Sequence, residues 1–113
     1  MTPYIFQRGE TISLGLDALT GAPLSVSAIS AAMKAVAPGR TSISGTQPVA
    51  AAFDIFPRSA SGDIPAGWTL IIPAATSAML APGSYLADAS IDIAGTVVIT
   101  ETVAIRIVQS VSV

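Results

Sequence analysis

The sequence predicts one all-β domain over residues 1–113, a sandwich of two packed sheets with about seven strands. β-Branched residues, which favour strands, are frequent: the chain has nine Val, thirteen Ile and ten Thr. Several segments alternate apolar and polar side chains, the pattern of a strand with one buried face. Gly, Pro and Ser separate these segments at intervals of roughly 8 to 15 residues, as expected of a β-sandwich.

Three strands are predicted in the first half of the chain, over residues 11–16, 26–37 and 49–56. The middle one fits two patterns, because Ile29 and Met33 are spaced for one helix face and also alternate as in a strand. Its alanines favour a helix, but the strands on both sides favour a strand, which is our prediction. Turns or loops rich in Gly, Pro and Ser are predicted over residues 17–23, 37–48 and 57–67.

Three further strands are predicted over residues 68–72, 85–93 and 96–107. The segment 85–93 is the clearest, because its odd-numbered residues are all apolar and its even-numbered residues are polar except Leu86. Glu101 interrupts the apolar row of the last strand, which predicts a bulge or a change of neighbour there. A single helical turn over residues 76–80 is predicted before them, with Thr76 as its N-cap.

The last two predicted strands should form a hairpin whose loop is set by their side-chain pattern. A three-residue loop over residues 93–95 pairs Ile91 with Val97 and Ala89 with Ile99, so that apolar residues share one face. It also places a glycine at the left-handed third position of the loop. A two-residue loop would shift the pairing by one residue and mix the faces, so we predict the three-residue loop.

A tyrosine corner is predicted where the chain turns into the strand over residues 85–93. Pro82 and Gly83 force a sharp turn, and the Tyr85 hydroxyl should donate to a backbone carbonyl in residues 78–81. Immunoglobulin-like sandwiches place a tyrosine at this corner, so the predicted fold is an immunoglobulin-like β-sandwich. The predicted core consists of Trp68, Leu70, Ile72, Tyr85, Ile91, Val97, Ile99 and Ile105.

The composition removes the commonest catalytic and metal-binding groups. The chain has no His and no Cys, which excludes Ser-His-Asp and Cys-His arrangements and the usual zinc sites. The only lysine is Lys34, and Ala31 stands where a Ser-x-x-Lys motif needs serine. We therefore predict that the protein is not an enzyme, with no catalytic, cofactor-binding or metal-binding residues and no cofactor.

Two groups of side chains suggest a ligand site. Asp88 and Asp92 share a strand face about 13 Å apart, so a calcium site would need another carboxylate brought in by folding. The candidates for that carboxylate are Asp17, Asp54 and Asp63. Solvated surface carboxylates are the expected state.

Tyr4, Phe6 and Trp68 could form a platform on which a sugar stacks, although we expect such aromatics to be core residues. The tripeptide Arg8-Gly9-Glu10 is expected to be a turn before the first predicted strand.

Charge and hydropathy point to an assembly rather than to nucleic acid or membrane. Apolar residues make up 51% and charged residues 11% of the chain, against about 25% charged in a typical domain. So low a charge predicts self-association, through residues 4–16 or 37–48 rather than 85–107. The five basic residues are scattered, so no direct nucleic-acid binding is expected. No segment has the length of a membrane span, and residues 1–10 do not form a signal peptide.

Several short motifs resemble those of small bacteriophage virion proteins with an immunoglobulin-like sandwich, found among tail, baseplate and head-accessory modules. They are Phe6-x-Arg8-Gly9-Glu10-Thr11, Leu19-Thr20-Gly21-Ala22, Trp68-x-Leu70, Gly83-x-Tyr85-x-x-Asp88 and Gly95-x-Val97-x-Ile99-Thr100-Glu101-Thr102.

The resemblance implies a structural component of a phage particle, in a tail, neck or baseplate. Its partners would be other virion structural proteins and copies of itself, and it would be assembled into the virion in the bacterial host cytoplasm. A capsid decoration protein is the alternative within the same class. A host-surface carbohydrate-binding module is the alternative from another class.

Overall fold

The structure, a computed structural model, describes residues 3–17, 28–37, 47–93, 95–100 and 102–111. Within them the chain forms nine strands and one short helix. In chain order these are β1 (Tyr4–Gln7), β2 (Ile12–Asp17), β3 (Ala28–Val36), β4 (Ala51–Ala52), β5 (Asp54–Arg58), β6 (Gly67–Ile72), α1 (Ala74–Ser77), β7 (Gly83–Ile93), β8 (Thr96–Ile99) and β9 (Val103–Val108). The prediction of an all-β fold is confirmed. Most of the turn predicted over 17–23 and of the loop over 37–48 lies outside the described residues.

Two sheets form the sandwich. Sheet A has the strand order β1-β9-β7-β3-β4, with β8 beside the far end of β7, and sheet B has the order β2-β6-β5. Neighbouring strands are antiparallel, apart from the parallel pair β1 and β9. The described residues form nine strands rather than about seven, because β1 was not foreseen and two of the six predicted segments, 49–56 and 96–107, are each divided in two.

The core lies between the two sheets and takes side chains from both. Its most completely buried members are Ile12, Met33, Ile72, Ile105 and Ile107. Trp68 is the large aromatic of the core, as predicted, and is 5% exposed. Leu70, Tyr85 and the other predicted core residues of β6 and β9 are also buried, whereas Ile91 is partly buried at the edge of the core. Each large apolar side chain buried in this way contributes about 1.5–3 kcal/mol to stability.

Residues 28–36 are a strand rather than a helix. β3 pairs with β7 over nine residues, and Ala31 and Met33 are buried while their neighbours are more exposed. This ladder is the longest in the molecule's described residues. Its hydrogen bonds and buried side chains outweigh the helix propensity of the alanines, which amounts to only tenths of a kcal/mol per residue.

The strand predicted over residues 49–56 is divided between the two sheets. β4 pairs with β3 in sheet A, whereas β5 pairs with β6 in sheet B. Phe53 lies between them, buried, and its N–H donates to the Ala31 carbonyl at 2.9 Å. Ala51 and Phe53 both belong to the core. The alternation therefore continues across the change of sheet, which is why the sequence did not reveal it.

The predicted helical turn begins two residues earlier than expected. Pro73 is the N-cap of α1 and makes no side-chain capping bond, so Thr76 lies within the helix and does not cap it. Ser77 is fully buried and accepts a hydrogen bond from the Gly9 N–H at 3.1 Å. This bond ties α1 to the turn over residues 8–10, which precedes β2 as predicted.

The hairpin of β7 and β8 has a two-residue loop, so the prediction of a three-residue loop is wrong. Ile91 pairs with Val98 rather than with Val97. The Asp92 carboxylate accepts the Gly95 N–H at 2.9 Å, and Gly95 has the left-handed φ of 91°. This hydrogen bond inside the turn stabilises the shorter loop. The alternation of apolar residues carries no information about such a contact, so it led to the wrong loop length.

The shorter loop turns β8 over. A shift of one residue moves every side chain of a strand to the other face. Val97 and Ile99 therefore lie on the outer face of sheet A, opposite Asp92 and Ser90, and are 59% and 57% exposed. Their predicted place in the core is wrong.

A bulge restores the register in β9, as the position of Glu101 predicted. Between the pairs Ser90–Ile99 and Ala87–Val103, β7 has two residues and the opposite segment has three. Thr100 bridges the irregularity: its N–H donates to the Ala89 carbonyl and its hydroxyl accepts the Ala89 N–H, both at 2.9 Å. Beyond the bulge, Ile105 and Ile107 face the core.

Tyr85 forms the predicted tyrosine corner. Its ring is buried, and its hydroxyl donates to the carbonyl of Ala81. Gly83, at the start of β7, has a φ of 152°, which an L side chain rarely adopts. The corner fixes the point at which the chain leaves α1 and enters the centre of sheet A.

We predict that Tyr85→Phe keeps the fold but lowers its stability by about 1–3 kcal/mol, because the Ala81 carbonyl loses its partner. Urea unfolding of the two proteins measures the difference. Tyr4→Phe is the matched control, since Tyr4 is 52% exposed. An unchanged midpoint in Tyr85→Phe would show that the corner does not stabilise the fold.

Alkaline pH should destabilise the protein through the same residue. Burial raises the pKa of Tyr85 above its usual value of 10.0. The unfolded chain therefore releases this proton first, and the stabilisation is complete below pH of about 10 and is lost as the pH rises above it. Unfolding free energies measured from pH 8 to 11 should fall more steeply for the parent than for Tyr85→Phe. Parallel curves would contradict this assignment.

Candidate docking site: the open edge of strand β2

An open groove lies between the two sheets and is bordered by β2, the edge strand of sheet B. It has a volume of about 390 Å³. Its lining comprises residues 13–16 of β2, residues 87–89 of β7, and Tyr4, Phe53, Leu70, Thr100 and Val103. Four consecutive residues of β2 reach the groove, although their side chains alternate in direction, so the backbone edge itself is part of the lining. We call this feature the β2 groove.

The backbone of β2 is paired on one side within the described residues. β2 pairs with β6 over all six of its residues, and no other strand adjoins it there. Its burial alternates: Ile12 is fully buried and Leu14 and Leu16 are half-buried, whereas Ser13 and Gly15 are exposed. An edge strand of this kind presents a row of N–H and C=O groups that another strand can join.

Small side chains on the opposite sheet leave room for the groove. Ala87 and Ala89 of β7 face the core side of sheet A, where larger residues such as Ile105 of β9 fill the space further along. Val103 and Thr100 follow on the neighbouring segment. Thr100 is held in place by its hydrogen bonds with Ala89, so the bulge between β8 and β9 also shapes the groove.

The described residues that line the β2 groove are mainly apolar. Asp88 is the one acidic residue among them, and its exposed side chain lies on the outer face of sheet A, because Ala87 and Ala89 on either side of it face the core. A second carboxylate stands at the end of β2: Asp17 pairs with Arg58 of β5. Arg58 also donates to the Pro65 carbonyl, through Nη2 at 2.9 Å and Nε at 3.2 Å. The pair is partly exposed to solvent, and such pairs contribute little stability. The pair connects β5 with β2, the two outer strands of sheet B, across the end of β6.

The three aromatic residues considered as a sugar platform do not come together. Trp68 is buried in the core, and Phe6 is half-buried against it. Tyr4 alone lines the β2 groove. The carbohydrate platform considered from the sequence is therefore not formed by these residues.

The carboxylates considered for calcium have other surroundings. Asp92 accepts a hydrogen bond in the hairpin loop, and Asp17 pairs with Arg58. Within the described residues, no three acidic side chains are close enough to hold a metal ion. Asp88 lies instead on the β2 groove.

A second open edge belongs to β8, which we call the arm (Thr96–Ile99). β8 pairs with β7 on one side and has no neighbour on the other within the described part of the chain. All four of its residues are exposed. Val98 lies opposite Ile91 on the inner face of sheet A and is still 49% exposed, so sheet B does not cover this end.

The groove and the arm were not found from the sequence. The prediction placed the contact surface in residues 4–16 or 37–48, and the first of these ranges does include Tyr4 and the β2 edge. It assigned residues 85–107 to the core, whereas the arm is exposed. The available signal was the run Thr96-Val97-Val98-Ile99, which has no polar residue to mark a solvent face except its threonine.

No known family, curated protein or solved structure matches this chain. The fold and the groove must therefore be interpreted from their own geometry. Among the described residues, no helix has the length and apolar character needed to cross a membrane.

The backbones of β6 and β2 approach closely at Gly67, the first residue of β6. A Cβ at this position would overlap the carbonyl oxygen of Leu16 and lie 2.9 Å from the Cα of Asp17. At Gly15, by contrast, a Cβ would meet only the Arg58 guanidinium, at 3.3 Å.

We predict that Gly67→Ala lowers the free energy of unfolding by about 1–3 kcal/mol or more, because backbone must move to admit the methyl group. Gly15→Ala is the matched control and should change stability much less, because a flexible side chain can give way. Chemical unfolding of both variants provides the comparison. Equal effects would show that the approach of β6 to β2 is not tight.

Proposed function

We propose that this protein is a non-enzymatic structural module of a bacteriophage particle, and that it acts by binding other protein chains along the open edge of β2. The observation that carries the proposal is the β2 groove, where an unpaired backbone edge and an apolar cleft coincide. An extended segment that enters such a cleft gains main-chain hydrogen bonds from the edge and buries alternate side chains. A protein chain can supply such an extended segment, whereas a small substrate cannot.

An immunoglobulin-like topology is part of the proposal. In such folds strands B, E and D share one sheet, strands C, F and G share the other, and the tyrosine corner opens strand F. The order β2-β6-β5 corresponds to B-E-D, and β3-β7-β9 corresponds to C-F-G. Tyr85 stands at the start of β7, the strand that takes the place of F. In this correspondence the place of strand A, beside strand B, is the open edge of β2.

The chemistry of the groove supports binding rather than catalysis. Its lining residues are aliphatic, aromatic or glycine, apart from Ser13, Thr100 and Asp88. A general acid or base acts in concert with a second group that receives or supplies charge, and histidine and cysteine are absent from the sequence.

The motifs shared with small virion proteins and the low charge support a place in a phage particle. On this proposal the partners are other virion structural proteins, and assembly takes place in the bacterial host cytoplasm. A tail, neck or baseplate is proposed because the fold offers strand edges for end-to-end contacts. A capsid decoration protein remains the second candidate, favoured by the apolar residues exposed on the outer face of sheet A.

The test is to locate the chain in particles. Particles from a lysed culture that carries the gene are purified by density gradient, heads and tails are separated, and both fractions are analysed by quantitative mass spectrometry. We expect a fixed copy number per particle, in the tail fraction. Recovery from heads would favour the decoration protein, and recovery only from the soluble fraction would overturn a structural role.

A groove variant extends this test to the proposed surface. Ser13→Lys/Asp88→Lys changes two exposed positions beside the groove and should prevent incorporation, because lysine next to an open strand edge discourages the addition of another strand. The matched control is Ser59→Lys/Asp63→Lys, which makes the same substitutions at exposed positions between β5 and β6. Normal incorporation of the groove variant would place the contact elsewhere.

A further inference from the structure

We propose that the partner of the β2 groove is a second copy of this chain, which inserts its arm, β8, so that copies join head to tail. The inference rests on the proposed role of the groove as a docking site and names its occupant. Each chain carries one acceptor, the groove, and one donor, the arm. Within one chain the arm pairs with β7 and not with β2, so it does not occupy the open edge of its own β2.

The arm has the properties of an inserted strand. Its residues are all β-branched and uncharged, and none is proline, so its free edge can hydrogen-bond along its whole length. Val97 and Ile99 point to the same face and are 59% and 57% exposed. This spacing of two residues is the one that lets a strand send apolar side chains into a cleft while its backbone pairs with the edge.

The groove matches the arm in length and chemistry. Residues 13–16 of β2 and residues 96–99 of β8 are each four residues long, about 13 Å at the usual rise per residue. Insertion would bring Val97 and Ile99 of one copy over Ala87 and Ala89 of the next, where the small side chains leave space. Both unpaired backbone edges would be satisfied by the same contact.

The other open edges of the described chain fit the arm less well. β5 carries Pro57 and two charged residues, which discourage strand addition, and β4 is two residues long. β1 offers a free edge, but Tyr4 is its one residue that lines the β2 groove. Because donor and acceptor are different surfaces, the contact is heterologous and leaves a free arm and a free groove at the two ends, so it builds a ring or a filament.

Mixing two complementary variants tests the proposal in purified protein. The arm variant is Val97→Asp/Ile99→Asp, which changes two exposed side chains and keeps the groove. The groove variant is Ser13→Lys/Asp88→Lys, which keeps the arm. We expect the parent to form concentration-dependent oligomers, each variant alone to be a monomer, and an equimolar mixture to form a 1:1 heterodimer by analytical ultracentrifugation. The matched control for the arm is Val49→Asp/Ile64→Asp, whose side chains are 55% and 54% exposed, and it should oligomerise like the parent.

Each other outcome contradicts head-to-tail docking in a defined way. A dimer of the groove variant alone would show that arms pair with arms, and a dimer of the arm variant alone would show that β2 edges pair with each other. A monomeric parent at high concentration would overturn self-docking, while the particle test of the proposed function would be unaffected. Conversely, absence from particles together with heterodimer formation would overturn the phage role and keep the self-docking.

A cross-linking measurement does not depend on the stability of these variants. The chain has no cysteine, so single cysteines report one contact. Ser13→Cys mixed with Val98→Cys should give a disulfide-linked heterodimer under mild oxidation, because both residues would lie on the face turned away from the groove. Ser59→Cys mixed with Val98→Cys is the control. Equal yields of cross-linked dimer in the two mixtures would contradict insertion of the arm at β2.

Discussion

Strand β7 determines the positions of most other elements in this sandwich. It is eleven residues long and pairs with β3 along one side and with β9 and then β8 along the other. Tyr85 fixes the start of β7, because its buried ring packs in the core and its hydroxyl donates a hydrogen bond to the Ala81 carbonyl. Its middle supplies Ala87 and Ala89, whose small side chains leave the β2 groove open. Its end carries the arm. One strand therefore connects the corner, the cleft and the exposed edge.

The regular parts of this arrangement were predictable because local pattern and long-range pairing agree in them. In β6 and β7, apolar residues alternate in step with burial, so Trp68, Leu70 and Tyr85 are core residues as predicted. In β3 the pattern was ambiguous, and the strands predicted on both sides led to the right choice. The tyrosine corner was predictable because the turn at Gly83 and the position of Tyr85 are both local.

The hairpin prediction failed because apolar matching was assumed to decide the register. The structure instead keeps the two-residue loop, in which Asp92 binds the Gly95 N–H, and corrects the register with a bulge at Thr100. Val97 and Ile99 become exposed as a consequence. The groove could not be predicted either, because it depends on β2 having a neighbouring strand on one side only in the described part of the chain. That is a property of the whole topology and leaves no mark in the residues of β2 themselves.

The sparse charge of the chain has a different meaning once the edges are considered. An apolar composition could mean a large core, but Tyr4, Ile5, Val97, Val98 and Ile99 are all about half exposed or more. Charges and proline protect β5, and β4 is too short to recruit a partner. β8 and residues 12–16 of β2 have neither protection. When some strand edges are protected and others are exposed, association is directed to the exposed edges and general aggregation is disfavoured. The proposed docking of the arm in the groove satisfies both open edges with one contact, which a two-fold pairing of either edge with its own copy would not do.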